Sequence, residues 1–191
     1  MWRVVSLVAL LALALGVPAL GGPSPRQAAI AGFAPYILGA GTREVLRADP
    51  ELAAGNYPMW TNDLPTQRYG RPIVAPIGGV NYIATLGLQF WQGRLAVVIL
   101  KWPATAFGSV ADWRRAGENL HRRMTSTYAN EVVKKNTVVS ASLWMMDLAD
   151  PEGNALSAWS NDRPLDIAMA YLWAPYVKAL ETAATQASKA P

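Results

Sequence analysis

The sequence predicts an α+β fold: an antiparallel sheet of about five strands, built as a hairpin plus a three-stranded meander, with helices packed on one face. Three observations carry that expectation. From Val80 to Phe90, apolar Val80, Tyr82, Ala84, Leu86, Leu88 and Phe90 alternate with Asn81, Thr85, Gly87 and Gln89, the period of a half-buried strand. Between Val110 and Tyr128, apolar residues recur at steps of three and four, the stripe of an amphipathic helix. Beyond Thr137, β-prone runs alternate with turn-forming clusters as far as Tyr171.

Each element follows from local chemistry. The first strand meets Trp91-Gln92-Gly93-Arg94, whose glycine suits a turn, and Leu95–Trp102 returns as a second strand stopped by Pro103. Ser109 stands three residues before Asp112, the spacing of a capped helix start, and the stripe then runs through Trp113, Gly117, Leu120 and Met124. That stripe is expected to lie on the strands carrying Tyr82, Leu86 and Ile99. Thr137–Met146 reads as one strand. Asp150-Pro151-Glu152-Gly153-Asn154 has the chemistry of a tight turn, Ala155–Ser160 is its partner, and Leu165–Tyr171 completes the meander. Pro175 opens a closing helix, and residues 187–191 are expected to fray.

The region before Val80 predicts little regular structure. Thr42 is expected to cap a turn over 43–47, and Asp49-Pro50-Glu51 to start another short helix ended by Gly55. Tyr57–Ile77, holding Pro58, Pro65, Gly70, Pro72 and Pro76, reads as a long ordered loop.

The amino terminus carries an export signature. Arg3 precedes an apolar run from Val4 to Val17, broken only by Ser6 and ended by Pro18. The run falls short of the roughly 20 apolar residues of a membrane-crossing helix but suits a secretory signal. Residues 1–19 are therefore expected to be the signal peptide, with cleavage before Leu20 or, alternatively, after Gly21. Residues 20–186 then form a single α+β domain, exported to the periplasm or outside the cell, with no transmembrane segment in the mature chain. The chain has no cysteine, which removes disulfides and the thiol of a bacterial lipid anchor. The absence of any Asn-x-Ser/Thr sequon also favours a bacterial envelope protein over a eukaryotic secreted one.

No catalytic constellation emerges. His121 is the sole histidine, and its pairing with Glu118 on a helix is only half of a di-metal motif. No Gly-x-Ser-x-Gly elbow accompanies it for nucleophilic hydrolysis. Gly39-x-Gly41 lacks the third glycine of a dinucleotide loop, since Glu44 stands there. Asp147, Asp150, Glu152 and Asn154 cluster without the spacing of a calcium loop and read as a solvated turn. Asp147, Asp162 and Asp166 are the acids available to carboxylate chemistry. No cofactor, metal ligand or catalytic residue is assigned.

Two features suit binding instead. Seven of the eight tryptophans lie beyond residue 21. Trp113 and Trp144 sit at core positions, whereas Trp60, Trp91 and Trp159 are placed to offer exposed stacking faces or to cover the ends of the sheet. Arg114, Arg115, Arg122 and Arg123 form a basic strip on the helix, within a stretch from Lys101 to Lys135 whose excess of basic residues equals the chain's formal charge of +4. Glu118 and Arg122 have the spacing of an ordinary supporting pair. The favoured reading is a non-catalytic envelope domain binding a protein partner or an anionic surface through this strip and Trp91. Nucleic acid is disfavoured by export and by the lack of a reading module. The alternatives are an exported carboxylate-dependent hydrolase of wall polymers, and an inhibitor or carbohydrate-binding module. Amino-terminal sequencing of the exported protein should begin at Leu20 or Gly22; a chain still starting at Met1 would disprove the signal.

Overall fold

A computed structural model describes residues 30–60, 64–128, 132–140, 142–162 and 165–188, with backbone alone for 132–136 and 139. The expected signal and its cleavage sites lie outside these residues, as do 189–191 of the expected frayed end; Ser188 caps the last helix. In chain order the elements are β1 (Gly32–Phe33), β2 (Tyr36–Ile37), α1 (Thr42–Ala48), β3 (Ala53–Ala54), β4 (Gln67–Ile77), β5 (Val80–Trp91) and β6 (Arg94–Pro103). A 3-10 turn over Ala104–Ala106 leads to α2 (Val110–Thr127), β7 (Val132–Ser140), β8 (Leu143–Ala149), β9 (Ala155–Asp162), β10 (Leu165–Leu172) and α3 (Ala174–Ala187).

The sheet has eight antiparallel strands in the order β3-β4-β5-β6-β10-β9-β8-β7, not about five, and β1 pairs with β2 separately. The additional strands come from β3, from β4 in place of the expected loop, and from a split of the expected 137–146 strand into β7 and β8.

Each difference has a physical cause. Pro72 and Pro76 argued against a strand, yet β4 pairs with β5 throughout, from Gln67 opposite Phe90 to Ile77 opposite Val80. The Arg68 carbonyl accepts from Gly55 N–H on the outer side of β4 at 3.3 Å, so even-numbered residues turn their backbone groups away from β5. Both prolines share that parity, and their missing donors face an edge that β3 covers only at Tyr69 and Gly70. The turn between β7 and β8 contains no Gly or Pro. A serine side chain does that work: Ser140 Oγ accepts from the N–H groups of Ser142 at 3.3 Å and Leu143 at 3.1 Å.

The short amino-terminal elements also differ. Helix α1 begins at Thr42 with Gly41 as its cap residue, and the Thr42 hydroxyl is buried without a hydrogen-bond partner. Asp49-Pro50-Glu51 forms a turn and no helix: Asp49 Oδ1 accepts from Glu51 N–H at 3.2 Å, while Oδ2 is engaged by Tyr36 and Arg71.

Alternation along the strands divides the core between two faces. One face carries Tyr82, Leu86, Leu88, Val98, Leu100, Trp102, Ile167 and Trp144, and it packs with Trp113, Ala116, Leu120 and Met124 of α2. The opposite face carries Val97, Ile99, Ala170 and Leu172, and it packs with Tyr176, Val177 and Leu180 of α3. The helices therefore occupy both faces rather than one, and Ile99 points away from α2. The reason lies in β6, whose Leu95–Leu100 stretch is at most 2% exposed and so must be covered on either side.

The second cover is partly loop. Gly70 and Gly87 are directly opposed on β4 and β5. The chain at Tyr57-Pro58 crosses them so closely that a Cβ on Gly87 would meet the Pro58 carbonyl oxygen at 2.5 Å, and one on Gly70 would meet the Tyr57 ring at 2.7 Å. Trp60 continues this cover, its N–H donating to Gln89 Oε1 at 2.7 Å. Gly87→Ala should destabilise by about 1–3 kcal/mol through overpacking. Chemical denaturation would check this, and an unchanged midpoint would show that the crossing is not tight.

Candidate binding surface on helix α2

Helix α2 is anchored at its start and its middle. Ser109 Oγ accepts from Asp112 N–H at 3.1 Å, the expected cap. The Asp112 carboxylate in turn accepts from Gly108 N–H at 3.1 Å and from the Tyr82 hydroxyl at 2.9 Å, fastening the first turn to β5. At mid-helix, Gly117 permits close approach to the sheet: a Cβ there would lie 2.9 Å from Ser160 Oγ. Its carbonyl accepts from the Trp144 indole N–H at 3.1 Å. Trp113 Nε1 donates to the Asp166 carbonyl at 3.4 Å.

These anchors fix which side of α2 meets water. Arg114, Arg115, Arg122 and Arg123 are all exposed, as the spacing predicts. With about 100° between successive residues, Arg115 and Arg122 crown the helix, while Arg114 and Arg123 lie on opposite flanks. The expected Glu118–Arg122 pair does not form. Among the described residues the ion pairs are Arg71 with Asp49, Arg71 with Glu51, and Lys101 with Asp166. Lys134 and Lys135, the other basic residues of this stretch, lie in the part of β7 whose side chains are outside the described set.

Trp91 does not join this surface. It is half-buried on the α3 side of the sheet, 5.7 Å from the Tyr176 ring. Trp60 and Trp159 lie on that side as well, 6.1 Å apart and half-buried, so they help to cover the sheet. Trp113 and Trp144 are buried as expected.

The other candidate residues are mostly engaged. Asp150 accepts from Ile30 N–H, Asn154 N–H and Asn154 Nδ2, which stabilises the β8–β9 turn and ties the first described residue to it. Asp147 accepts from the Ser157 hydroxyl across neighbouring strands. Asp166 is buried and bridged by Lys101 Nζ at 2.9 Å and Asn161 Nδ2 at 3.1 Å. His121 is half-buried, with its ring 5.0 Å from that of Trp144 and its Nε2 buried without a hydrogen-bond partner. Among the described residues no group of three or more His, Cys, Asp or Glu is arranged to hold a metal ion.

Two features escaped the sequence reading. The first is a cleft of about 410 Å³ between α2 and the β7–β8 turn, lined by Arg114, Glu118, Ser140, Ser142 and Asp162. The second is the network of Tyr36, Asp49 and Arg71. Arg71 Nε meets Asp49 Oδ2 at 2.8 Å, and the Tyr36 hydroxyl donates to the same oxygen. Burial and the adjacent carboxylate push the Tyr36 hydroxyl above its ordinary range. For Asp49, burial raises the carboxyl, but hydrogen bonds from Tyr36 and Arg71, together with the Arg71 charge, outweigh it and hold the group below its usual value.

No protein-family model matches the chain, and neither curated proteins nor solved structures give a significant match. Among the described residues, no helix is long and apolar enough to cross a membrane.

The lowered Asp49 carboxyl sets a direction for acid stability. A group with a depressed folded-state value contributes stability above its unfolded value, near 3.9, and loses it as pH falls through the folded value. The stability advantage of the native chain over Asp49→Asn should therefore shrink as pH drops below about 4. Thermal denaturation of both chains across this range checks it; a constant difference would contradict the charged role.

Proposed function

We propose that the chain is an exported, non-catalytic envelope domain that docks on an anionic surface, or on an acidic protein there, through the crown of α2. The carrying observation is that Arg115 and Arg122 stand exposed one above the other, and neither takes part in an ion pair among the described residues. A cation exposed on a rigid helix outside any ion pair interacts favourably with an external anionic field, at about 1 kcal/mol per Lys or Arg near an anionic membrane. The wall-polymer hydrolase reading is weaker, because Asp147 and Asp166 are committed to Ser157 and to Lys101. The carbohydrate-module reading loses its stacking platforms to the half-buried packing of Trp60, Trp91 and Trp159.

Replacing Arg115 and Arg122 together by Gln should weaken binding to anionic vesicles roughly 30-fold at low ionic strength, with little change in folding. Reversal of both to Glu should abolish it. Co-sedimentation at two salt concentrations measures the effect. Binding that is unaffected by salt or by these substitutions would refute the reading, as would absence of binding by the native chain both to vesicles and to its envelope proteins.

A further inference from the structure

From the cleft beside α2, rather than from its crown, we infer a second binding site, for a small basic α-amino acid. This does not rest on the docking role of Arg115 and Arg122. The cleft, at about 410 Å³, is within the range of small-molecule sites and is walled by α2 on one side and by the β7–β8 turn and the end of β9 on the other.

Its charges are of both signs and are not spent on each other. Arg114 and Glu118 are one turn apart on α2, yet they form no ion pair within 4.0 Å, and neither does Arg114 with Asp162. The order of the helical pair, cation before acid, is the weaker of the two orientations. A guanidinium recognises a carboxylate through paired donors. The serine pair supports it: Ser140 Oγ accepts from the Ser142 and Leu143 N–H groups and lies 3.4 Å from Ser142 Oγ, and whichever hydroxyl donates to the other, one proton of the pair is left to donate. Glu118 and Asp162 supply acceptors for ammonium groups.

One cationic and two anionic side chains among the described lining residues complement a ligand with one carboxylate and two ammonium groups. An apolar wall sets the spacing between them. Leu143, half-buried on the β7–β8 side, lines the cleft together with Trp113 and the charged groups and offers apolar contact for an alkyl chain. A basic amino acid, with its carboxylate and amines separated by methylenes, meets both requirements.

Titration of the isotope-labelled chain with L-lysine, followed by NMR at the Trp113 indole N–H, tests the site. Lysine should shift this resonance saturably, while cadaverine, which lacks the carboxylate, should bind at least about 10-fold more weakly, as loss of one charge-assisted contact implies. Arg114→Gln should remove most of that preference for lysine, Asp162→Asn should weaken both ligands, and Arg115→Gln should change neither. The site is disproved if no saturable shift occurs. It is equally disproved if the dianion glutarate binds as well as lysine, or if Arg114→Gln leaves lysine affinity unchanged.

Discussion

The architecture depends on the need to cover β6 from both sides. Val98 and Leu100 face one way, Val97 and Ile99 the other, and all are nearly or fully excluded from water. Each such side chain contributes about 1.5–3 kcal/mol when buried, so neither face can be left open at the middle of the sheet. Helix α2 seals one face. On the other, α3 and the chain at Tyr57–Trp60 share the task, and the opposed glycines on β4 and β5 let that chain lie flat on the strands.

The position of α2 also answers a problem of connection. The chain leaves β6 near the middle of the sheet and re-enters at β7, the far edge, passing β10, β9 and β8. Four strand spacings amount to roughly 19 Å, and a helix of 18 residues is about 27 Å long, so one helix laid across the face makes the journey. The crossing requires one apolar side, with Gly117 at the closest approach, and leaves the arginines outside. It also leaves a space where the helix passes the β7–β8 turn. The crown and the cleft are thus two results of a single crossover.

Legibility in the sequence followed the range of the physics. The α2 helix, its Ser109 cap and its exposed arginines were readable, because periodicity and capping act within a few residues. The β5–β6 hairpin was readable for the same reason. The side of the sheet taken by α3 was not, since it depends on packing between distant segments. Strand β4 was hidden by prolines whose meaning changes once their missing donors face an open edge. The β7–β8 turn was hidden because a serine hydroxyl replaced the usual glycine. Of the candidate site, the four arginines were visible as a strip, but the grouping of Arg114 with Ser140 and Asp162 is brought about by tertiary structure alone. Trp91 was misplaced because a residue near a hairpin tip in sequence can still be covered by a helix from the other end of the chain.

The seam between β6 and β10 has a consequence for the chain as it is made. Strands β4–β6 and β7–β10 are two meanders, each built from neighbouring segments, whereas Ile99 and Ala170 meet across about 70 residues of intervening sequence. During synthesis β6 emerges first, and its second edge stays vacant until β10 follows. For that interval the most apolar strand of the molecule is an open template for pairing with other chains. A chain with such a seam gains from a holding factor until β10 is made, and its yield should be governed by the time that β6 waits for its partner.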